Sequence, residues 1–280
     1  MQLSPDERHV AVDRRDPDTG KSHVWLIELA RGISSRFTFD ANEYNPIWSP
    51  DGRWIVFSSD RNGTFDLYKK AAYGANQEKL LIESKADKWA NDCSRDGRFL
   101  LYMEHLAGEF EDRSNSMDVQ SWVQPLSSDS RPSSVLWNGG HGTFSPDGKW
   151  IAYVSGESGR LEIYVRAFQA SGAAASRDHA GGEQWKISEG GGFYPHWRGD
   201  GRELFYRTGD GRIMVVPVTA GATFQPGLPR VLFTTNFGER ANLDNFAVTG
   251  DGQRFLMMSP LQTDSLGATI VFNWTKDVHH

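Results

Sequence analysis

One cysteine, Cys93, stands in a chain of 280 residues, so no internal disulfide can form and thiol usage leaves the redox compartment unmarked. Basic charge is scarce. Thirty Lys and Arg face 36 Asp and Glu, a net charge of −6, and no basic stripe is present to displace counterions from nucleic-acid phosphates. Long apolar runs are missing as well: stretches such as Ile213–Val218 fall far short of the roughly 20 residues of a membrane helix, so no membrane span is expected. The opening MQLSPDERHV has neither the basic start nor the apolar stretch of a secretion signal. A Gly-x-Ser-x-Gly nucleophile elbow is absent, as is the alternation of strands and helices that would carry a hydrolase domain. What remains is the composition of a globular protein, with 12% aromatic and 38% hydrophobic residues.

The chain is internally repetitive. SPDGRWIVF (Ser49 to Phe57) returns as SPDGKWIAY (Ser145 to Tyr153), and the same turn is spelled at Ser4, Ser94, Arg198 and Thr249, at intervals of 45, 45, 51, 53 and 51 residues. Asp occupies the third place of all six copies and Gly the fourth in five, with Glu7 the exception. Pro presets φ, Asp bonds nearby backbone and Gly takes a left-handed conformation at little cost, which together describe a tight hairpin turn. Glu7 in the glycine's place predicts a first turn that differs from the others or frays.

Apolar residues bracket every turn, Trp48 and Ile55 or Trp197 and Leu204 for example, so each turn joins two strands. A third strand-like run follows (Val24 to Leu29, Phe65 to Tyr68, Val119 to Val123, Leu161 to Phe168, Arg212 to Val218, Thr269 to Trp274). Five repeats add a fourth: Arg36 to Phe39, Lys79 to Ile82, Ser134 to Trp137, Trp185 to Ile187 and Arg230 to Thr234. Four short antiparallel strands every 45 to 53 residues predict an all-β, six-bladed β-propeller filling residues 1–278 as one domain. The last blade is expected to lack its outer strand, which residues upstream of this chain, in a longer protein, would supply. The stretches 167–184 and 220–229 read as loops.

The Ser-Pro-Asp-Gly turn followed by Lys or Arg, an aromatic and an aliphatic strand resembles the repeats of the TolB-like propeller family. RNGTFDLY (Arg61 to Tyr68) and ESGRLEIYV (Glu157 to Val165) are similar to that family's entry into its third strand, and IVFNWT (Ile270 to Thr275) to the closing strand of TolB-like regions downstream of bacterial kinase domains. The resemblance implies a protein-binding scaffold in the periplasm or otherwise outside the cytoplasm.

In such a fold the segments entering the inner strands gather at one mouth of the central channel, which brings Tyr44, Asn45, Trp89, Asn91, His141, Tyr194, His196, Asp244 and Asn245 forward as candidate ligand-binding residues. Rings beside amides suit a protein or peptide segment first and a carbohydrate second; the competing reading is that the rings fill space between blades. His141 and His196 sit at different distances from their turns, four and two residues, and do not spell a metal pair. DPDTG (Asp16 to Gly20) departs from a calcium loop and reads as a surface turn. No cofactor, metal or catalytic residue is assigned. The alternative function is a channel-site hydrolase or lyase acting on a carbohydrate, ester or peptide, with His141, His196, Tyr194 and Asp244 as its acid-base groups.

Overall fold

A computed structural model describes residues 1–74, 77–105, 119–126, 133–136, 139–168, 183–220, 223–235, 246–260 and 266–271. Every regular element among them is a strand, and no helix is long and apolar enough to cross a membrane. The first sheet orders β1 (Gln2–Leu3), β2 (His9–Arg15), β3 (Ser22–Glu28) and β4 (Ile33–Arg36). The second orders β5 (Glu43–Trp48), β6 (Trp54–Ser59), β7 (Asp66–Ala71) and β8 (Lys79–Ile82). Next come β9 (Asp87–Cys93), β10 (Phe99–His105), β11 (Val119–Pro125) and β12 (Ser133–Leu136), then β13 (Gly139–Phe144), β14 (Trp150–Ser155), β15 (Glu162–Ala167) and β16 (Gln184–Lys186). The fifth sheet pairs β17 (Phe193–Trp197), β18 (Glu203–Arg207) and β19 (Arg212–Ala220), with β20 (Phe224–Pro226) and β21 (Arg230–Thr234) both on β19. The last pairs β22 (Phe246–Val248), β23 (Phe255–Pro260) and β24 (Leu266–Val271). All pairings with a described register are antiparallel, and all but β19 with β21 join neighbours in sequence, the arrangement of β-propeller blades. Five sheets carry four or more strands, and the last carries three among the described residues.

The repeated turn is built as its residue types require. The hydroxyls of Ser4, Ser49, Ser94, Ser145 and Thr249 donate to Oδ1 of Asp6, Asp51, Asp96, Asp147 and Asp251 at 2.5–2.7 Å. The same hydroxyls accept the N–H five residues on, from His9, Trp54, Phe99, Trp150 and Arg254. Gly52, Gly97, Gly148, Gly201 and Gly252 take φ of 69–75°. Glu7 is a correction to the sequence reading: it adopts φ 56° and makes the same bond, its N–H to the Ser4 carbonyl at 2.8 Å, as Gly52 makes to Ser49. The Ser4–Asp6 clasp holds the backbone left-handed despite the side chain.

Contacts gather the chain into two compact units, Met1–Gly142 with Ala170–Gly181, and Thr143–Gln169 with Gly182–His280. In the first unit the core lies between successive sheets. Ala11, Val24 and Leu26 meet Trp48, Ile55, Phe57 and Tyr68, while Ile47, Val56 and Leu67 meet Ala90, Cys93, Leu100 and Tyr102. In the second, Trp150, Ile163 and Val165 pack on Trp197, Leu204 and Val216, and Phe205, Ile213 and Val215 on Phe246, Phe255 and Met257. Each fully buried side chain of this size contributes on the order of 1.5–3 kcal/mol. Within 220–229, expected as a loop, Phe224–Pro226 instead pair back on β19 through Val218↔Pro226 and Ala220↔Phe224. Phe224, 2% exposed, drives this by inserting among Trp150, Trp185 and Trp197 at centroid distances of 5.2–6.2 Å. The fourth strand of the first sheet lies three residues earlier than expected and leaves Phe39 exposed. The 167–184 stretch falls mostly outside the described residues.

A buried polar link recurs where one sheet's third strand meets the approach to the next inner strand. His23 Nδ1 lies 2.7 Å from Glu43 Oε2, and Lys88 Nζ lies 2.8 Å from Asp66 Oδ1. Ser121 Oγ donates to the Gly139 carbonyl at 2.6 Å, and Glu162 accepts from Ser188 Oγ and from the Gly190 and Gly191 N–H groups. In the fifth and sixth repeats, where Gly replaces Pro at the second turn position, the Gly199 N–H donates to the Gly250 carbonyl at 2.9 Å, and a Cβ at Gly199 would lie 2.7 Å from that oxygen.

Three outcomes follow from this construction. Gly148→Ala forces a Cβ into a left-handed turn that is otherwise open space, and it costs about 1 kcal/mol by urea unfolding, while Glu7→Gly gains up to about that amount. Lys88→Met leaves Asp66, 1% exposed, as an uncompensated buried charge, and lowers stability by about 3–5 kcal/mol in the same assay. The carboxyls of Asp6, Asp51 and Asp251 are held below their ordinary range chiefly by the hydroxyls of Ser4, Ser49 and Thr249. Groups depressed on folding stabilise above the unfolded carboxylate pKa of about 3.9 and cease to do so as pH falls through the folded value, so the urea midpoint holds from pH 7 to about 5 and drops below about pH 4.

Candidate functional site

The inner strands are irregular where the candidate residues lie. In β5, Tyr44 pairs with Ser58 and Ile47 with Val56, so Asn45 and Pro46 together oppose Phe57. Pro46 has no N–H for the ladder, and a bulge absorbs it. In β17, Phe193 pairs with Arg207 and His196 with Phe205, leaving Tyr194 and Pro195 against Tyr206. In β9 the register slips between Asp92 and Ala90, making Asn91 the extra residue. Asn45, His141 and Tyr194 have φ of 51°, 50° and 54°. Each stands four residues before its turn, at Ser49, Ser145 and Arg198, an equivalence that counting back from the turns would have exposed. Left-handed backbone is cheap for Asn but costs Tyr roughly 1–2 kcal/mol, a strain that three repeats retain at one position.

In the first unit the candidates form one row. The ring of Tyr44 meets Phe65 at 5.6 Å, Phe65 meets Trp89 at 6.0 Å, and Trp89 meets His105 edge-on at 5.6 Å. Phe65 is the keystone: its N–H donates to Asp87 Oδ1 at 2.8 Å and its carbonyl accepts the Lys88 N–H at 2.7 Å. Beneath the row, Lys88 is fully buried and donates to Asp66 and to the carbonyls of Ala86 and Ser84. Tyr44, Asn45, Trp89 and Asn91 are all half-buried, and the Asn91 Oδ1 is a buried acceptor that meets no donor among the described residues. Nearby Cys93 is no nucleophile, since burial, with the Asp92 carboxylate second, pushes its thiol up to about 12. His141 is half-buried in the same unit.

The second unit treats its candidates differently. Tyr194 is 5% exposed and belongs to the core with Phe205, Ile213 and Phe246. His196 packs its ring on Phe246 at 4.5 Å. Asp244 and Asn245 lie outside the described residues. Sequence reasoning missed Phe65, absorbed into a strand, and His105, at the far end of a second strand; the only signal for either was an aromatic beside a strand terminus. Among the described residues no group of three His, Cys, Asp or Glu side chains gathers to hold a metal ion.

Comparison with known proteins agrees with the repeat. Residues 2–139 match the TolB β-propeller domain. An uncharacterized protein of Agrobacterium fabrum, Atu1656, is 30% identical over 139 residues, 47% of this chain and 46% of its own length, so the chain spans less than half of that relative. The crystal structure of TolB from Acinetobacter baumannii is similar over 95% of this chain and 61% of that one, with a TM-score of 0.68 and 15% identity. The periplasmic gluconolactonase PpgL of Pseudomonas aeruginosa is similar over 96% and 83%, with a TM-score of 0.58 and 16% identity. With their repeated hydroxyl–Asp–Gly turns, bladed sheets and this match, residues 2–139 belong to the TolB-like β-propeller family, and the remainder of the chain repeats the same turn and shares the fold.

Proposed function

We propose that this chain is a binding module: a single six-bladed ring over residues 1–278, counting the three-stranded sheet as its sixth blade, that docks a protein or peptide segment at the entering ends of its inner strands, outside the cytoplasm. The observation that carries this reading is the row Tyr44–Phe65–Trp89–His105 beside the unpaired Asn91 Oδ1. Rings of this kind offer large contact area at small entropic cost, and a lone buried acceptor beside them suits a backbone N–H of an extended segment. The similarity to TolB supports a binding role, and the word periplasmic in the lactonase's name supports the location. Asn45, His141 and the strained inner-strand position extend the same surface. Tyr194 and His196 pack within the core of their own unit, and Asp244 and Asn245 remain candidates for the same role.

A second reading, a hydrolase or lyase acting in the channel on a carbohydrate, ester or peptide, draws on the lactonase likeness and on His141, whose left-handed backbone marks a site under strain. The two readings part experimentally. Immobilised chain should capture a partner from the host's envelope fraction, and Tyr44→Ala with Trp89→Ala should cut capture by roughly tenfold or more, the scale of a binding hot spot, while thermal unfolding stays cooperative. Equal capture by the variant overturns the proposed surface. Turnover of lactone, glycoside, ester or peptide substrates that disappears in His141→Ala would replace binding with catalysis.

A further inference from the structure

A second groove lies at the other end of β5, about four residues and hence roughly 13 Å from Tyr44. Pro5 and Asp6 of the first turn and Pro50 and Asp51 of the second form its walls, with Trp48 and Tyr73 completing it, around a volume of about 320 Å³. The two turns pack directly, since a Cβ on Gly52 would lie 3.9 Å from Pro5 Cδ. Each Asp spends Oδ1 on its own turn, where the Ser hydroxyl and the N–H two residues on both donate to it. Asp6 has no ion pair among the described residues. Asp51 Oδ2 has only Arg53, 3.8 Å away and 80% exposed, a contact that water and salt weaken. Both carboxyls are held below their ordinary range by Ser4 and Ser49 and stay ionised at neutral pH.

The floor is unfinished in a way its counterpart is not. Trp197 occupies the same place before its turn as Trp48, and its Nε1–H donates to the Thr143 carbonyl at 3.3 Å. Trp48 is 3% exposed and lines the groove, yet its Nε1–H meets no acceptor among the described residues. The residue at Thr143's position is Gln2, on a strand of two residues, and its side-chain oxygen is taken by the Trp48 main-chain N–H instead. A buried indole N–H without a partner is costly unless something supplies an oxygen.

We infer that this groove binds a basic peptide segment. An arginine or lysine side chain lays its methylene stem along Pro5, Pro50 and the Tyr73 ring, 58% exposed, and sets its cation between the free oxygens of Asp6 and Asp51. The peptide's own carbonyl then accepts the Trp48 N–H. Arg8 and Arg53 set the cationic rim that such a segment must pass, beside His9, which stands edge-on to Tyr73 at 6.0 Å. This site is separate from the aromatic row and stands whether or not that surface binds.

The probe is acetylated, amidated tetra-arginine, titrated calorimetrically into the full chain at about 20 mM salt, where screening is weak. Saturable one-to-one binding is expected, weakened roughly tenfold or more in Asp6→Asn with Asp51→Asn and about threefold in Tyr73→Ala, which removes the ring and leaves both carboxylates in place. Asn keeps an oxygen for the turn, and a urea midpoint for each variant separates lost binding from lost fold. Asp147→Asn with Asp200→Asn removes the same charge from two other turns and should leave binding unchanged. Absence of saturable binding to the wild type, equal weakening by the 147/200 variant, or equally tight binding of spermidine, which offers the Trp48 N–H no acceptor, each overturns the assignment.

Discussion

The turn clasp is the constraint from which the rest of this structure is assembled. A hydroxyl donates a hydrogen bond to an aspartate and accepts one from the backbone N–H five residues on, which fixes both ends of a tight bend with two side chains. Because strand side chains alternate with a period of two, fixing the bend fixes which residues of the flanking strands face the neighbouring sheet. Trp48 and Ile55, or Phe144 and Ile151, reach the core for that reason. The clasp is strong enough to impose a left-handed backbone on Glu7.

What happens between sheets is decided by the polar links. A buried charge or hydroxyl near the start of the third strand needs a partner, and in the four links among the described residues the partner is on the way into the next inner strand. Satisfying Asp66 therefore draws Lys88 inward, and with it the flanking Asp87 and Trp89 onto Phe65. The aromatic row is a consequence of electrostatic pairing beneath it as much as of ring packing. Without Lys88 buried, Phe65 would have no fixed backbone on which to stand.

The turns were legible in the sequence because their chemistry is local: every atom that explains Ser49, Asp51 and Gly52 lies within five residues. So was the strand order that follows. The partners of those strands were not. Phe224 reads as part of a polar loop until three tryptophans from elsewhere surround it, and Phe65 reads as strand until Asp87 and Lys88, over twenty residues on, pin it. The ring of Tyr194 and its place near a strand entry read as a binding position, but in the bulge that carries Pro195 that ring belongs to the core. Asn45, by contrast, sits at the equivalent place with a small polar side chain and remains half-buried. One backbone geometry yields a surface amide in one repeat and a core ring in another, and only the size of the side chain distinguishes them.

The contact between Gly199 and Gly250 shows that the repeats have stopped being interchangeable. In the first, second and fourth copies the second turn position holds a proline without a donor, whereas here the pair trades an N–H for a carbonyl at a separation that excludes any side chain. Writing proline, the commonest residue at this position, into the fifth copy would remove the donor and thrust a pyrrolidine against backbone. The commonest spelling of the turn thus cannot be written at every one of its addresses, so averaging the six copies into a single idealised unit would discard information that the later copies need in order to fit each other.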